Sequence, residues 1–492
     1  PPAPCAARRH GDPRCAEEFF HVLTRRDMLK AGALATVPAV LAGGRAAGAP
    51  AARRAAAAPF TAPLRPRRPL RPVRLAGHDF YRLTSREARV SLLPGTTTRI
   101  RSLNGRMSPL IVAERGRPVV IEQVNELEVP FAMHLHGGHT TERSDGHPKY
   151  QVEPGGRRRY HYANDQDAAT LWIHDHSHHT HAENVYRGLA ATYLLTDAFE
   201  RRLPLPKGPY DVALQLRDAR FEDDGTLVWD AHGFEDRHTV LVDGRPRPYF
   251  EVAARRYRLR LINTSNERLF ELVLGDGEEF THIGSDGGLL PAPVAVRKLA
   301  LWPGERQEIV VDFARWGVGR RVVLNNAAPY GGEPPEIMRF DVVRPAADHS
   351  RVPERLRPLP DLGASAVERE FVMAFDPSTG QHLINGKPFD VDRVDVRTRL
   401  GVTETWRIVN ADTQFGIPHS MHVHHDFFRV LDRDGKPPAP GEAGLKDTLA
   451  LPAGSSARVQ LRFTDHPGLF MYHCHMLGHV QMGMMGQMEL VR

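Results

Sequence analysis

Cysteine is scarce in this chain, with three among 492 residues. Cys5 and Cys15 lie ahead of an export-type segment, so an exported chain keeps Cys474 alone and can form no internal disulfide. Long apolar runs are also lacking: nothing reaches the roughly twenty consecutive apolar residues of a helical membrane span. A basic body is missing as well. Residues 1–74 carry 14 Lys+Arg against 4 Asp+Glu, leaving 51 bases and 55 acids in the remainder. The formal charge of +6 therefore belongs to the leader, and the slightly acidic body argues against nucleic acid as a partner. "PLRPRRPLRPVR", residues 63–74, reads as a Pro-rich extended linker rather than a phosphate-binding patch.

What the leader does contain is a paired arginine. "TRRDMLKAGALATVPAVLAGG", residues 24–44, combines Arg25 and Arg26 with a polar spacer and a mild run of small apolar residues. That is the pattern of twin-arginine export, with the twin-arginine machinery as partner and a periplasmic, cell-envelope or extracellular destination. Such export carries folded proteins, which suits a cofactor loaded beforehand.

From about residue 76, short β-rich runs such as "RPVVIEQVNEL", "RYRLRLINTS" and "ARVQLRF" alternate with Gly, Pro, Asn and Asp turns. The pattern predicts an all-β chain of sandwiches. Polar, Pro-containing stretches near 198–209 and 346–366 divide it. The expected organisation is a leader and linker over 1–75, then three domains over 76–198, 205–346 and 366–492.

The outer two domains share a repeat. "MHLHGG" at 133–138 answers "MHVHHD" at 421–426, and "WIHDH" at 172–176 answers "MYHCH" at 471–475. On a strand, alternate residues face one way, so each H-x-H places two imidazoles on one face. The eight are His134, His136, His174, His176, His422, His424, His473 and His475. The middle domain has no H-x-H and is expected to space or shape rather than bind metal.

Cys474 lies between His473 and His475, and by strand parity faces the opposite way from both. His419, three residues before His422, falls on the Cys474 side. His419, Cys474, His479 and Met484 then make a His2Cys set with a weak thioether, the ligand set of a blue copper electron-transfer site. The eight remaining imidazoles divide as two, three and three around three further coppers. Structural zinc would call for closed sets of four ligands instead. Four coppers store the four electrons that reduce dioxygen to two waters.

Together these motifs resemble the multicopper oxidases: H-x-H-G at 134, H-x-H at 174, H-x-x-H-x-H at 419 and H-C-H-x3-H-x4-M at 473. "SDGHP" (144–148), "AENVYRGLA" (182–190), "GSDGGLLP" (284–291) and "GLKD" (444–447) are similar to the bacterial spore-coat laccase and bilirubin oxidase branch. The resemblance implies three cupredoxin-like Greek-key domains with a three-copper cluster between the first and third. It implies His134 and His422 as type-2 ligands, His136, His174 and His475 on one type-3 copper, and His176, His424 and His473 on the other. Asp145 resembles an acidic residue near the cluster that serves proton delivery. Two departures stand out: Ser420 where the branch often has proline, and Val480 where it often has a second acid.

The activity implied is one-electron oxidation of phenolic, aminophenol or tetrapyrrole donors coupled to reduction of dioxygen. An alternative is a metal oxidase of Cu(I) or Mn(II) in copper tolerance. A further one is a non-catalytic cell-envelope protein on the same fold, whose relatives have lost copper ligands; here every ligand position is filled. "HSHHTH" (176–181) beyond His176 reads as a solvated or supporting segment, Met482, Met485 and Met488 as flexible core filler, and "GSDGGLL" as a turn.

Overall fold

The computed structural model describes residues 58–231, 233–329 and 334–492; the twin-arginine segment, Cys5 and Cys15 lie outside them. The fold is all-β and cupredoxin-like, 48% strand and 8% helix. Six sheets form three successive sandwiches. In the first, a sheet centred on His78–Val90 and Val119–Asn125 faces one ordered Leu110–Glu114, Ala190–Thr196, Ala169–Asp175, Met133–His136. In the third, a sheet centred on Thr403–Asn410 and Ser456–Arg462 faces one ordered Val396–Arg399, Met485–Val491, Gly468–Cys474, His419–Val423, Thr448–Leu451. Among the described residues no helix is long and apolar enough to cross a membrane.

Ordinary strands alternate. In His78–Val90, Tyr81 and Leu83 are buried while Arg82 and Arg86 are exposed, as expected where one face meets water. The metal-motif strands differ, because both of their faces are covered. Ala169, Leu171 and Ile173 enter the core of the first sandwich, whereas Trp172 packs on Ile262 of the middle one. Likewise Phe470, Tyr472 and Cys474 enter the core of the third sandwich, together with Met421 and Val423 of the neighbouring strand. Parity then turns His473 and His422 outward, toward the first sandwich. Met133 and Leu135 lie in the first core, so His134 and His136 turn outward as well. One set of side chains thus lies inside the third sandwich and the other in the seam between sandwiches.

The middle sandwich, over Asp211–Pro345, is bound to the first by buried ion pairs. Arg260 donates to Asp211 at 2.7 Å, to Glu200 at 2.7 Å and to Glu308 at 3.1 Å, and Thr170 donates to Glu308 at 2.7 Å. The Pro/Arg stretch before residue 75 is extended and forms a strap along the body. Leu64 enters the middle core. Arg67 donates to the Ser108 carbonyl, the Thr192 hydroxyl and the Ala213 carbonyl, and pairs with Asp243 at 3.0 Å.

Candidate metal centre

Strand pairing sets the imidazoles against one another. His134 is directly opposite His174, and His422 directly opposite His473. The sandwiches then interleave their outward histidines: His134 stacks on His424 with ring centroids 3.9 Å apart, and His136 on His422 at 3.7 Å. His176 Nε2 and His424 Nε2 each lie 3.1 Å from His473 Nε2. All eight are buried.

In six of the eight rings the outer nitrogen has a partner that selects its tautomer. His134 Nδ1 donates to the Asp145 carbonyl at 2.6 Å, His174 Nδ1 to the Asp175 carbonyl at 2.8 Å, His422 Nδ1 to the Asp447 carbonyl at 2.8 Å and His473 Nδ1 to the Cys474 carbonyl at 2.7 Å. His424 Nδ1 donates to the Asp145 carboxylate at 2.7 Å. His136 is reversed: its Nε2 donates to Asp447 at 2.9 Å. The opposite nitrogens, Nε2 of His134, His174 and His422 and Nδ1 of His136, are buried without a hydrogen-bond partner. So are both ring nitrogens of His475. Unpartnered buried lone pairs are costly unless something accepts them, and a hydrogen bond on the far nitrogen is how metal-binding imidazoles are oriented. The ligand nitrogens of His134, His136 and His174, and those of His176, His424 and His473, lie within 4.8 Å of one another, a spacing that fits metal ions.

Electrostatics agree. Burial, reinforced by neighbouring imidazoles, holds His136, His174, His176, His422, His424 and His475 well below the ordinary imidazole range, and burial takes His473 down to about 3. The rings are therefore neutral, with lone pairs free for a cation.

Inside the third sandwich, Cys474 Sγ lies 3.8 Å from His419 Nδ1 and 3.7 Å from His479 Nδ1. His419 Nε2 donates to Asp412 at 2.6 Å, which turns Nδ1 toward the sulfur. The Cys474 amide donates to the Met484 carbonyl, and Met484 is buried in the same core. Burial pushes the Cys474 thiol up to about 12, so a thiolate there needs a cation beside it. Ser420 is more than a neutral departure: its backbone N–H points at Cys474 Sγ, 3.4 Å away, and proline has no such hydrogen.

Several participants escaped the sequence reading. Asp447 supports His136 and His422, and Arg306 of the middle sandwich binds the Asp447 carboxylate at 2.7 Å. "GLKD" marked Asp447 only as a resemblance, and nothing local marked Arg306. His382, on the hairpin strand Gln381–Ile384, stacks on His479 at 4.0 Å and 11°. Asp286, in the "GSDGG" turn, accepts from the Arg306 amide at 2.8 Å. Val480 packs with Met471 and Met485 in a small apolar cluster. Of the other histidines in "HSHHTH", His181 is buried and bonded to the Ser177 and Leu477 carbonyls.

The helix Leu477–Gln481, which carries His479, rests on Glu267 of the middle sandwich. Glu267 Oε1 accepts from the Gly478 amide at 2.7 Å, while its Oε2 is buried without a partner. Burial pushes this carboxyl up to about 8. An unfolded glutamate titrates near 4.3, so between about pH 4.5 and 8 the folded chain holds one proton more than the unfolded chain. Stability is then lost as pH rises through that window, by at most a few kcal/mol. Glu267→Gln retains the acceptor and removes the titration. Urea unfolding of copper-free protein from pH 5 to 8 is expected to give a flatter profile for the variant and greater stability than wild type at pH 8; parallel profiles would exclude Glu267 as the titrating group.

Comparison with known proteins agrees with this geometry. Residues 84–198 and 360–491 each match a multicopper oxidase family profile. The chain is 35% identical over 420 residues to a laccase of Bacillus subtilis (strain 168), covering 75% of this chain and 81% of the relative. It is 33% identical to a bilirubin oxidase of Albifimbria verrucaria over 412 residues, 77% and 70% of the two chains. The crystal structure of a laccase from Pediococcus acidilactici superposes with a TM-score of 0.83 at 32% identity, over 89% of this chain and 95% of that one. The chain belongs to the multicopper oxidase family and is a copper-dependent oxidoreductase of the laccase type.

Proposed function

We propose that this protein couples one-electron oxidation of phenolic, aminophenol or tetrapyrrole donors to reduction of dioxygen to water, with Cys474 joining the two metal sites. The observation that carries this reading is the pairing of a buried thiol inside one sandwich with eight buried imidazoles in the adjoining seam, three of the residues concerned being consecutive. His419, Cys474, His479 and Met484 are assigned to the blue site. His134 and His422 are assigned as type-2 ligands, and His136, His174, His475 and His176, His424, His473 to the two type-3 ions. When bound, the four coppers supply one-electron redox chemistry and dioxygen reduction.

The chain's own residues do the rest. His479 is partly exposed and is the edge at which a donor approaches. Peptide and side-chain bonds through His473, Cys474 and His475 give the shortest covalent path to the seam. Asp145, buried between His134 and His424 with no hydrogen bond on Oδ1, is assigned to hold and relay protons, and Val480 offers none. Twin-arginine export to the periplasm, cell envelope or exterior is part of the same reading.

Cys474→Ser tests the whole assignment: the blue thiolate absorption and donor oxidation are expected to vanish while about three coppers stay bound. A retained blue band overturns it. Ser420→Pro is expected to lower the potential of the blue site, because the N–H that points at the sulfur is lost; Ser420→Ala, which keeps it, serves as control. A hydrogen bond to a charged acceptor is worth about 1.5–3 kcal/mol, and a part of that differs between oxidation states, so a shift on the order of 50 mV is expected. Equal potentials in both variants would reject the role of this contact. For Asp145→Asn, copper content and blue absorption should persist while reoxidation by dioxygen slows about 100-fold, the lower range of general acid–base effects. A merely supporting carboxylate would leave the pH profile of reoxidation unmoved.

A further inference from the structure

A second group of histidines and aspartates lies outside the copper motifs. His139 follows the "HLHGG" turn of the first sandwich, His425 follows His424, and Asp465 and His466 lie in the loop before strand Gly468–Cys474. Three imidazole nitrogens surround one carboxylate oxygen. His139 Nε2 is 2.8 Å from Asp465 Oδ1, His425 Nε2 is 3.6 Å away and His466 Nε2 is 3.6 Å away. The rings of His139 and His425 are 4.5 Å apart, those of His139 and His466 5.6 Å, and those of His425 and His466 5.8 Å.

These contacts are not a set of ordinary ion pairs. Asp465 Oδ1, His139 Nε2 and His425 Nε2 are each buried without a hydrogen bond of acceptable geometry, although they lie close together. Ligands about 2.0–2.1 Å from a tetrahedral cation sit about 3.3 Å from one another, which is the scale of the distances found. The support is that of a metal ligand too. His425 Nδ1 donates to Asp426 Oδ2 at 3.0 Å, and the same oxygen accepts from the Thr464 amide at 3.1 Å, so Nε2 is turned into the group. His425 is 4% exposed. His425 and His466 both take left-handed backbone angles, φ 80° and 52°, an uncommon conformation outside glycine that aims the two rings.

We propose that His139, His425, Asp465 and His466 bind a borderline divalent cation of the Zn2+ or Cu2+ class, apart from the four coppers, which clips the first sandwich to the third. Three imidazoles and one carboxylate suit this class rather than Mg2+ or Ca2+. His466 and Asp465 are partly exposed, so the ion enters from solvent.

The test uses the full copper-loaded protein dialysed against micromolar Zn2+, with zinc and copper counted by mass spectrometry. About one zinc is expected beside four coppers, with a zinc-dependent rise in thermal midpoint. His466→Ala and Asp465→Asn, both near the surface, should weaken zinc at least as much as the roughly 10–100-fold loss from removing an outer-shell partner, without changing copper content. In a second arm, loading with excess copper should give a fifth copper in wild type and four in His466→Ala. The absence of stoichiometric zinc and of a fifth copper, or equal binding in wild type and both variants, would overturn the site and leave a cluster of histidine–aspartate pairs.

Discussion

The buried Asp447–Arg306 pair is the contact on which the cluster depends. Its carboxylate accepts from His136 Nε2 and from the Arg306 guanidinium, and the backbone carbonyl of the same residue accepts from His422 Nδ1. Each of the three sandwiches therefore contributes: His136 from the first, Arg306 from the middle, Asp447 and His422 from the third. A buried ion pair adds little net stability, but removing one partner typically costs about 3–5 kcal/mol. The pair thus works as a positional constraint. It fixes the ring of His136 in the tautomer opposite to that of His134, His174 and His422, so that imidazoles from two domains turn their lone pairs inward.

Desolvation is the second constraint. Burial lowers the pKa of seven of the eight imidazoles and raises that of the thiol, which keeps those rings neutral and the thiol protonated. Metal binding in such a place replaces a proton at Cys474 and satisfies nitrogens that nothing else on the chain reaches. The same burial makes each hydrogen bond to the sulfur count, which gives the Ser420 amide its weight.

The middle sandwich shapes the seam without offering an H-x-H. Gly304, at φ 85°, lies so close to His475 that a Cβ would come within 2.6 Å of the ring. Glu267 supports the helix that carries His479. A domain with no metal motif is thus in contact with both sites, through residues that sequence spacing does not mark.

Much of the site was legible in the chain itself, because it rests on short-range rules. Alternation along a strand separates Cys474 from His473 and His475, and three-residue spacing puts His419 on the other side from His422; both follow from covalent geometry. The β character and the paired H-x-H motifs are equally local. Contacts between residues far apart in the chain are not local, and these were decided by tertiary packing: Arg306 on Asp447, Asp145 on His424, His382 on His479, and His139 beside Asp465. The role of Ser420 shows the division within one residue. The sequence reveals that it is not proline, but only the fold places its amide 3.4 Å from the sulfur, because strand register, not composition, determines which backbone hydrogen meets which side chain.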